Sequence, residues 1–156
     1  MILLFCAPVA VAAQIRFSDP ANRNLAKQMC ASVEQTLKVK DRKWKLKNTL
    51  ESEFGSHYYF KSGKNEIEFS IYVYDSPEEA SKQLRSHSNE SSITAPTDLK
   101  DIGDEAFYMA PRYFSWIGVR KGRMLVEVRG PGPYLTVTRR FVGYGLEEIE
   151  KALGAN

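Results

Sequence analysis

The fold of this chain is decided by residues 103–128, which read GDEAFYMAPRYFSWIGVRKGRMLVEV. The second half predicts a β-hairpin, because Lys121-Gly122 separates two runs rich in Val, Ile, aromatic residues and Met. Glycine accepts the positive φ that a two-residue hairpin turn requires. This turn pairs Val119 with Met124 and gives the hairpin one aliphatic face. The opposite face carries two aromatic residues among charged ones, Phe114 and Trp116.

A second hairpin is predicted upstream, from HYYFK at residues 57–61 and EIEFSIYVY at residues 66–74. In the longer run apolar residues alternate with polar ones, which is typical of a strand with one buried face. Its aliphatic set is expected to share a core with the first hairpin. The other set completes an aromatic face of four residues: Tyr72, Tyr74, Phe114 and Trp116. This face is interpreted either as a ligand or partner surface or as the surface on which the first helix packs.

Three helices are predicted to accompany these hairpins. The first begins at residues 19–20, where Asp can cap and Pro suits the first turn, and it carries an apolar stripe. The second begins at residues 75–77 with a capping-box pattern. Gly and Pro at residues 130–133 indicate an exposed link, and residues 135–138 indicate one more short strand. The last helix is then expected from about Leu146.

Three segments carry a resemblance to a known group: YDSPEEA at 74–80, DIGDEAFY at 101–108 and VRKGRMLVEV at 119–128. Together with the terminal helix they resemble small exported bacterial domains with a Mog1/PsbP-like α+β sandwich. The resemblance spans residues 67–153. It implies a single α+β domain, residues 14–156, in which about three helices pack on an antiparallel sheet. It also implies an accessory, sensor or binding role and supplies no catalytic residue.

The N-terminal residues 1–13, MILLFCAPVAVAA, are apolar and uncharged. Their length suits a signal peptide and is too short to span a bilayer. Small residues before Gln14 predict cleavage near Ala13 and export to the periplasm or the cell exterior, with no transmembrane segment in the mature chain. The usual basic start of a signal is missing, so a misplaced start or a buried strand stays open. Cleavage leaves Cys30 as the single cysteine, either buried or paired between chains.

Charge gives little indication of a partner. The net charge is +3, from 22 basic and 19 acidic residues, and we expect no nucleic-acid partner from so small an excess. Six cations nevertheless fall within residues 38–47, KVKDRKWKLK. One interpretation is an anion-binding patch formed by Lys40, Arg42, Lys43, Trp44 and Lys45. The other is a solvated helix end and an edge strand, whose lysines discourage edge-to-edge pairing.

No catalytic motif is found in the sequence. An acidic cluster lacks the spacing of a calcium loop: Asp98, Asp101, Asp104 and Glu105. We therefore expect no metal, no cofactor and no enzymatic activity, and we do not pair His57 with His87. The leading hypothesis is an exported accessory domain that binds a protein or a small ligand, as a monomer or weak dimer. The alternatives are the anion binder and an enzyme that uses His57 with the acidic cluster.

Overall fold

The structure is a computed structural model that describes residues 19–53, 55–89, 94–132 and 135–154. The predicted signal peptide, residues 1–13, lies outside these ranges. The described residues contain three helices: α1 (Pro20–Lys40), α2 (Pro77–Asn89) and α3 (Leu135–Gly154). They also contain seven strands: β1 (Lys45–Glu51), β2 (Gly55–Ser62), β3 (Asn65–Val73), β4 (Thr97–Asp98), β5 (Glu105–Met109), β6 (Phe114–Lys121) and β7 (Met124–Pro131).

The strands form one antiparallel sheet in the order β1-β2-β3-β7-β6-β5-β4. Each predicted hairpin is present, β2–β3 and β6–β7, and the two are joined through the β3–β7 pair. Helices α1 and α3 pack on one face of the sheet and α2 packs on the other. The predicted class is confirmed: a single α+β domain with an antiparallel sheet and three helices.

The main core lies between the sheet and the helix pair α1 and α3. The strand residues that the alternation predicted to be buried are fully buried there: Ile67, Phe69, Ile71, Val73, Ile117, Val119, Val126 and Val128. From α1 they meet Met29, Val33 and Leu37, and from α3 they meet Phe141, Val142 and Ile149. Each large apolar side chain buried in this way contributes about 1.5–3 kcal/mol relative to exposure.

The register of the central hairpin differs from the prediction by two residues. Lys121 pairs with Met124, and Val119 pairs with Val126 instead of Met124. The turn residues are Gly122 and Arg123, and only Gly122 has a positive φ, 58°. A positive φ at the first of the two turn residues only is the pattern of a type II′ turn. The turn therefore lies one residue further along the chain than the predicted Lys121-Gly122 turn. Because side chains alternate with a period of two, the predicted faces are unchanged.

The prediction for the segment after β7 is wrong. Gly130 and Pro131 continue β7, and residues 135–138 begin α3 instead of forming a strand. Residues 133–134 lie outside the described residues. Buried side chains recur at helical spacing from the start of α3: Thr138, Phe141, Val142, Gly145 and Ile149. Four residues are too few to distinguish strand alternation from the first turn of a helix, so the helix predicted from about Leu146 lacks the first half of α3.

The helix on the aromatic face is α2, and the expectation that the first helix packs there is wrong. The apolar stripe of α1 is long and aliphatic, and it covers the aliphatic face of the sheet together with α3. The stripe of α2 is narrow, with Ala80 and Leu84 as its buried apolar residues. Such a short stripe covers only part of the aromatic face, which leaves an open region beside the C-terminal half of α2.

Candidate functional site

The open region beside α2 is a cleft of about 410 Å³, here called the α2 cleft. Its walls combine aromatic, apolar and charged side chains: Glu68, Tyr72, His87, Met109, Phe114, Trp116, Glu127 and Arg129. Small-molecule sites usually measure about 300–1,000 Å³ and combine apolar walls with a few polar groups. The α2 cleft is therefore of a size and chemistry that suit a small ligand.

Strand pairing assembles the floor of the cleft. Glu68 of β3 lies opposite Arg129 of β7, and Arg129 lies opposite Trp116 of β6. Trp116 in turn lies opposite Met109 of β5. Residues directly opposite on neighbouring antiparallel strands have Cβ atoms about 4.5–5.5 Å apart. Four residues that are distant in sequence thus form one continuous line across the sheet.

The position of the Trp116 ring depends on Gly118, its next neighbour on the same face. A Cβ atom at position 118 would lie 2.6 Å from Cζ2 of Trp116 and 2.6 Å from Cδ1 of Leu84. Real Cβ atoms do not make contacts this close, so only glycine leaves room for both groups. The indole therefore lies across the backbone of β6 and beneath α2, and it forms one wall of the cleft.

Two histidines lie on either side of Tyr72. The His57 ring centroid is 5.6 Å from that of Tyr72, and the His87 ring centroid is 6.0 Å from it. His87 Nδ1 is 2.6 Å from Oε1 of Glu127, while His57 Nδ1 is 2.9 Å from the Ser70 hydroxyl. Helix α2 returns over the sheet and carries His87 back to β3 and β7, so both histidines reach the ring of Tyr72.

Electrostatic interactions and burial shift the pKa values of two cleft residues, Glu68 and Tyr72, in opposite directions. Hydrogen bonding by His57 lowers the pKa of Glu68; burial opposes this effect, and the Arg129 charge adds to it. Burial raises the pKa of Tyr72, and the charge of Glu127 raises it further. Near neutral pH the Glu68 carboxyl is thus ionised and the Tyr72 phenol is neutral, and the two lie four residues apart along β3.

The Ser70–His57–Glu68 contacts do not form a catalytic triad. Ser70 Oγ lies 2.9 Å and Glu68 Oε1 lies 3.5 Å from the same ring atom, Nδ1 of His57. A triad needs the serine and the acid on opposite nitrogens, so that the ring relays a proton between them. Ser70 is also only 3% exposed, which leaves no access for a substrate. The contacts hold strands β2 and β3 together and orient the histidine.

The structure does not bring His57 to the acidic cluster, as the enzyme alternative requires. His57 lies in β2, whereas Glu105 lies four strands away in β5, about 19 Å at the usual strand spacing. Asp104 accepts a hydrogen bond from the amide of Gly122 at 2.7 Å. Glu105 accepts bonds from Ser81 and from other side chains. Within the described residues, no group of three or more His, Cys, Asp or Glu is arranged to hold a metal ion.

Three of the four aromatic residues selected from the sequence line the cleft: Tyr72, Phe114 and Trp116. Tyr74 is buried with them under α2 and stacks on Tyr72, with ring centroids 6.4 Å apart. The sequence analysis did not select five other wall residues: Glu68, His87, Met109, Glu127 and Arg129. Alternation could have identified the strand residues among them, because they share a face of the sheet with the aromatic set. For His87 the sequence contained no such signal.

The basic segment forms the end of α1 and the edge strand β1, as one of its two interpretations predicted. Lys40 makes an ion pair with Glu147 of α3 at 3.4 Å. Trp44 lies in the main core and packs edge-on against Phe141, so its ring is not at the surface for stacking. The remaining members of the proposed patch are exposed: Arg42, Lys43 and Lys45.

The fold and the cleft together define a small α+β domain with an open, ligand-sized site between one helix and the sheet. Comparison with protein-family models, with curated proteins and with solved structures gave no significant match. Across the described ranges, no helix has the length and apolar character needed to cross a membrane.

Proposed function

We propose that this protein is a non-enzymatic binding module that takes a small ligand, or a side chain of a protein partner, in the α2 cleft. The observation that carries the proposal is the mixed wall of the cleft, in which Trp116 and Phe114 lie beside the guanidinium of Arg129. Apolar walls with a few placed charges are typical of binding sites. Three of the four residues of the aromatic face line this one cleft.

Binding is favoured over catalysis by the way in which the titratable groups are paired. Glu127 contacts His87 and Glu68 contacts His57, so each acid lies beside a histidine of the protein itself. A general base has to lie within hydrogen-bond reach of a proton on the substrate. Groups that hold each other in place are better suited to shaping a site than to moving protons in it.

We propose further that the protein is exported and that it is related to the Mog1/PsbP-like domains. The apolar residues 1–13, with their small residues before Gln14, support export to the periplasm or the cell exterior. The Mog1/PsbP-like resemblance supports an accessory role in the same compartment. Mass determination of the N-terminus of the protein recovered from its native cells tests the export proposal, and cleavage near Ala13 is the expected result.

The binding proposal is tested by capture from the native cell envelope followed by mass spectrometry. The tagged full chain is compared with Phe114→Ala and with Arg129→Gln, both folded as judged by circular dichroism. Val39→Ala is the control, because Val39 is an exposed apolar residue of α1. We expect a partner or ligand that the native chain and the control retain and that both cleft variants lose. Equal capture by all four proteins would contradict a role for the cleft.

A second candidate function, anion binding at the β1 edge, is favoured by one observation. Lys45 of β1 lies directly opposite Lys61 of β2, and both are exposed. Like charges directly opposite on neighbouring strands are destabilising, so a bound anion would relieve their repulsion. This candidate site offers cationic side chains without an aromatic ring to stack on, because Trp44 is buried.

Retention on heparin tests the anion candidate. Elution should move to lower salt in Lys43→Glu/Lys45→Glu, since binding to a polyanion weakens with each cation removed. Lys82→Glu/Lys100→Glu makes the same change in net charge at exposed sites outside the basic segment and serves as the control. Equal loss of retention in the two double variants would mean that retention depends only on net charge, and this result would contradict a local anion site.

A further inference from the structure

We propose that the ligand of the α2 cleft is a small organic anion, an aromatic or otherwise apolar body with one carboxylate, and that Arg129 binds the carboxylate. This inference rests on the proposed function, because it concerns the same cleft. It adds the chemical class of the ligand and assigns Arg129 a binding role that the sequence analysis did not give it.

The first argument is the state of the Arg129 guanidinium. Within the described residues it makes no hydrogen bond and no ion pair; it lies 5.4 Å from the centroid of the Phe114 ring, and its charge acts on the carboxylate of Glu68, its neighbour on β3. Other arginines near this face are bonded: Arg85 to Glu105 at 2.7 Å, and Arg120 to Asp104 at 3.2 Å. Arg129 therefore keeps its donors available at the wall of the cleft. A planar guanidinium binds a carboxylate through two parallel hydrogen bonds.

The second argument is that the acids of the cleft already have partners. Glu127 lies 2.6 Å from His87, and Glu68 accepts a hydrogen bond from the Tyr59 hydroxyl at 3.4 Å besides its contact with His57. A cationic ligand would have to compete with these protein groups. An anionic ligand would find the unused donors of Arg129, and each acid already lies beside a histidine.

The third argument is the shape of the cleft. The cavity of about 410 Å³ is lined by the half-buried ring of Phe114 and, more deeply, by the buried side chains of Trp116, Met109 and Tyr72. Aromatic rings pack favourably edge-on or offset against such walls. A ligand with a ring and a short chain fits with its ring among these residues and its carboxylate at Arg129, which lies opposite Trp116 in the sheet.

Three probes with one skeleton and different charges test the class: 3-phenylpropanoate, 3-phenylpropanamide and 3-phenylpropylamine. The chain has two tryptophans, so the full chain with Trp44→Phe reports on Trp116 alone by fluorescence. This background is suitable because Nε1 of Trp44 is buried without a hydrogen-bond partner. We expect the acid to bind with a Kd of about 1 mM, in keeping with the size of the probe. The amide and the amine should bind about tenfold more weakly or worse.

Variants then locate the carboxylate. Arg129→Gln should weaken binding of the acid about tenfold or more and leave binding of the amide unchanged, because only the charge-assisted bonds are lost. Arg139→Gln is the control: Arg139 is an exposed residue of α3, on the other face of the sheet. Binding of the acid by this control should equal that of the parent.

Each outcome bears on one proposal or the other. Preference for the amine or the amide, or an Arg129→Gln variant that binds the acid as well as the parent, overturns the anionic class. If binding in those cases is still lost in Phe114→Ala, the α2 cleft remains the binding site and the proposed function stands. No saturable fluorescence change with the acid up to about ten times the expected Kd also overturns the anionic class. The capture experiment above then decides the proposed function separately.

Discussion

Gly145 of α3 lies so close to Val126 of β7 that a Cβ atom at position 145 would be 2.2 Å from Val126 Cγ2. The ring of Phe69 would be 3.1 Å away on another side. Gly145→Ala should therefore push α3 off the sheet and lower the free energy of unfolding by about 1–3 kcal/mol, as overpacking of a core commonly does. Urea denaturation followed by circular dichroism measures the change.

Gly143 supplies the matched control two residues earlier in the same helix. A Cβ atom at position 143 would have no neighbour within 4 Å. Gly143→Ala should raise the free energy of unfolding by about 0.5–1 kcal/mol, because alanine loses less backbone entropy in a helix than glycine does. Equal effects of the two substitutions would contradict the close approach of α3 at Gly145.

Glu105 links α2 to the sheet and predicts a pH dependence of stability. Its carboxylate accepts hydrogen bonds from Ser81 Oγ at 2.6 Å and from Arg85 Nε at 2.7 Å, and it also faces Arg120. Burial alone would raise the pKa of Glu105, but the bonds from Ser81, Arg85 and Arg120 outweigh burial and lower it. The folded state therefore favours the ionised form of this carboxyl.

The sign of the pH effect follows from the lowered pKa. The ionised carboxylate contributes stability above its unfolded pKa of 4.5, and this contribution is lost as the pH falls through the lower folded-state pKa. Glu105→Gln should cost about 1–3 kcal/mol near neutral pH, and its difference from the native chain should shrink below about pH 4.5. Urea denaturation at a series of pH values measures this, with Glu150→Gln as an exposed control. A difference that does not change with pH would refute the assignment.

Cys30 is predicted to be unreactive in the folded protein. It is fully buried in α1, with Sγ 3.6 Å from the carbonyl oxygen of Ser56, and burial raises its pKa to about 12. Thiol reagents attack the thiolate, so labelling near pH 8 should be far slower in the native state than in denaturant. The full chain with Cys6→Ser isolates this thiol for the measurement. Rapid labelling, or a disulfide-linked dimer of that variant without unfolding, would contradict burial.

Much of the fold could be predicted because its signals are local. Both hairpins are marked by alternation and by a glycine turn, and α2 begins where the capping residues indicate: Ser76 Oγ accepts a hydrogen bond from the amide of Glu79 at 3.1 Å. The hairpin register was missed because Lys121-Gly122 and Gly122-Arg123 are both two-residue turns that contain the same glycine. The φ angles distinguish them, and the sequence does not contain those angles.

The site was less predictable because it depends on contacts that are distant in sequence. The line of Glu68, Arg129 and Trp116 requires β3 to pair with β7, and nothing local in either hairpin specifies this pair. His87 reaches Glu127 only because α2 packs on the face opposite to α1. Alternation identified the aromatic set, but the charged residues of the same face became site residues only once the strand order was known.

The contact between α2 and the cleft floor can be tested at Gly118. A Cβ atom there would collide with Trp116 and with Leu84, as described above, so Gly118→Ala should displace the indole or lift α2. We expect a loss of about 1–3 kcal/mol in the free energy of unfolding, as for other overpacked sites. In the Trp44→Phe background the emission maximum of Trp116 should shift as well.

Leu84→Ala provides the decisive partner for this substitution. Alone it should cost about 2–5 kcal/mol, because it leaves a cavity under α2. Combined with Gly118→Ala it removes one of the two groups that the new Cβ meets, so the double variant should be more stable than the sum of the single losses by about 0.5–3 kcal/mol. Strictly additive losses would mean that Leu84 and Gly118 are not in contact, and that α2 does not limit the space above Gly118.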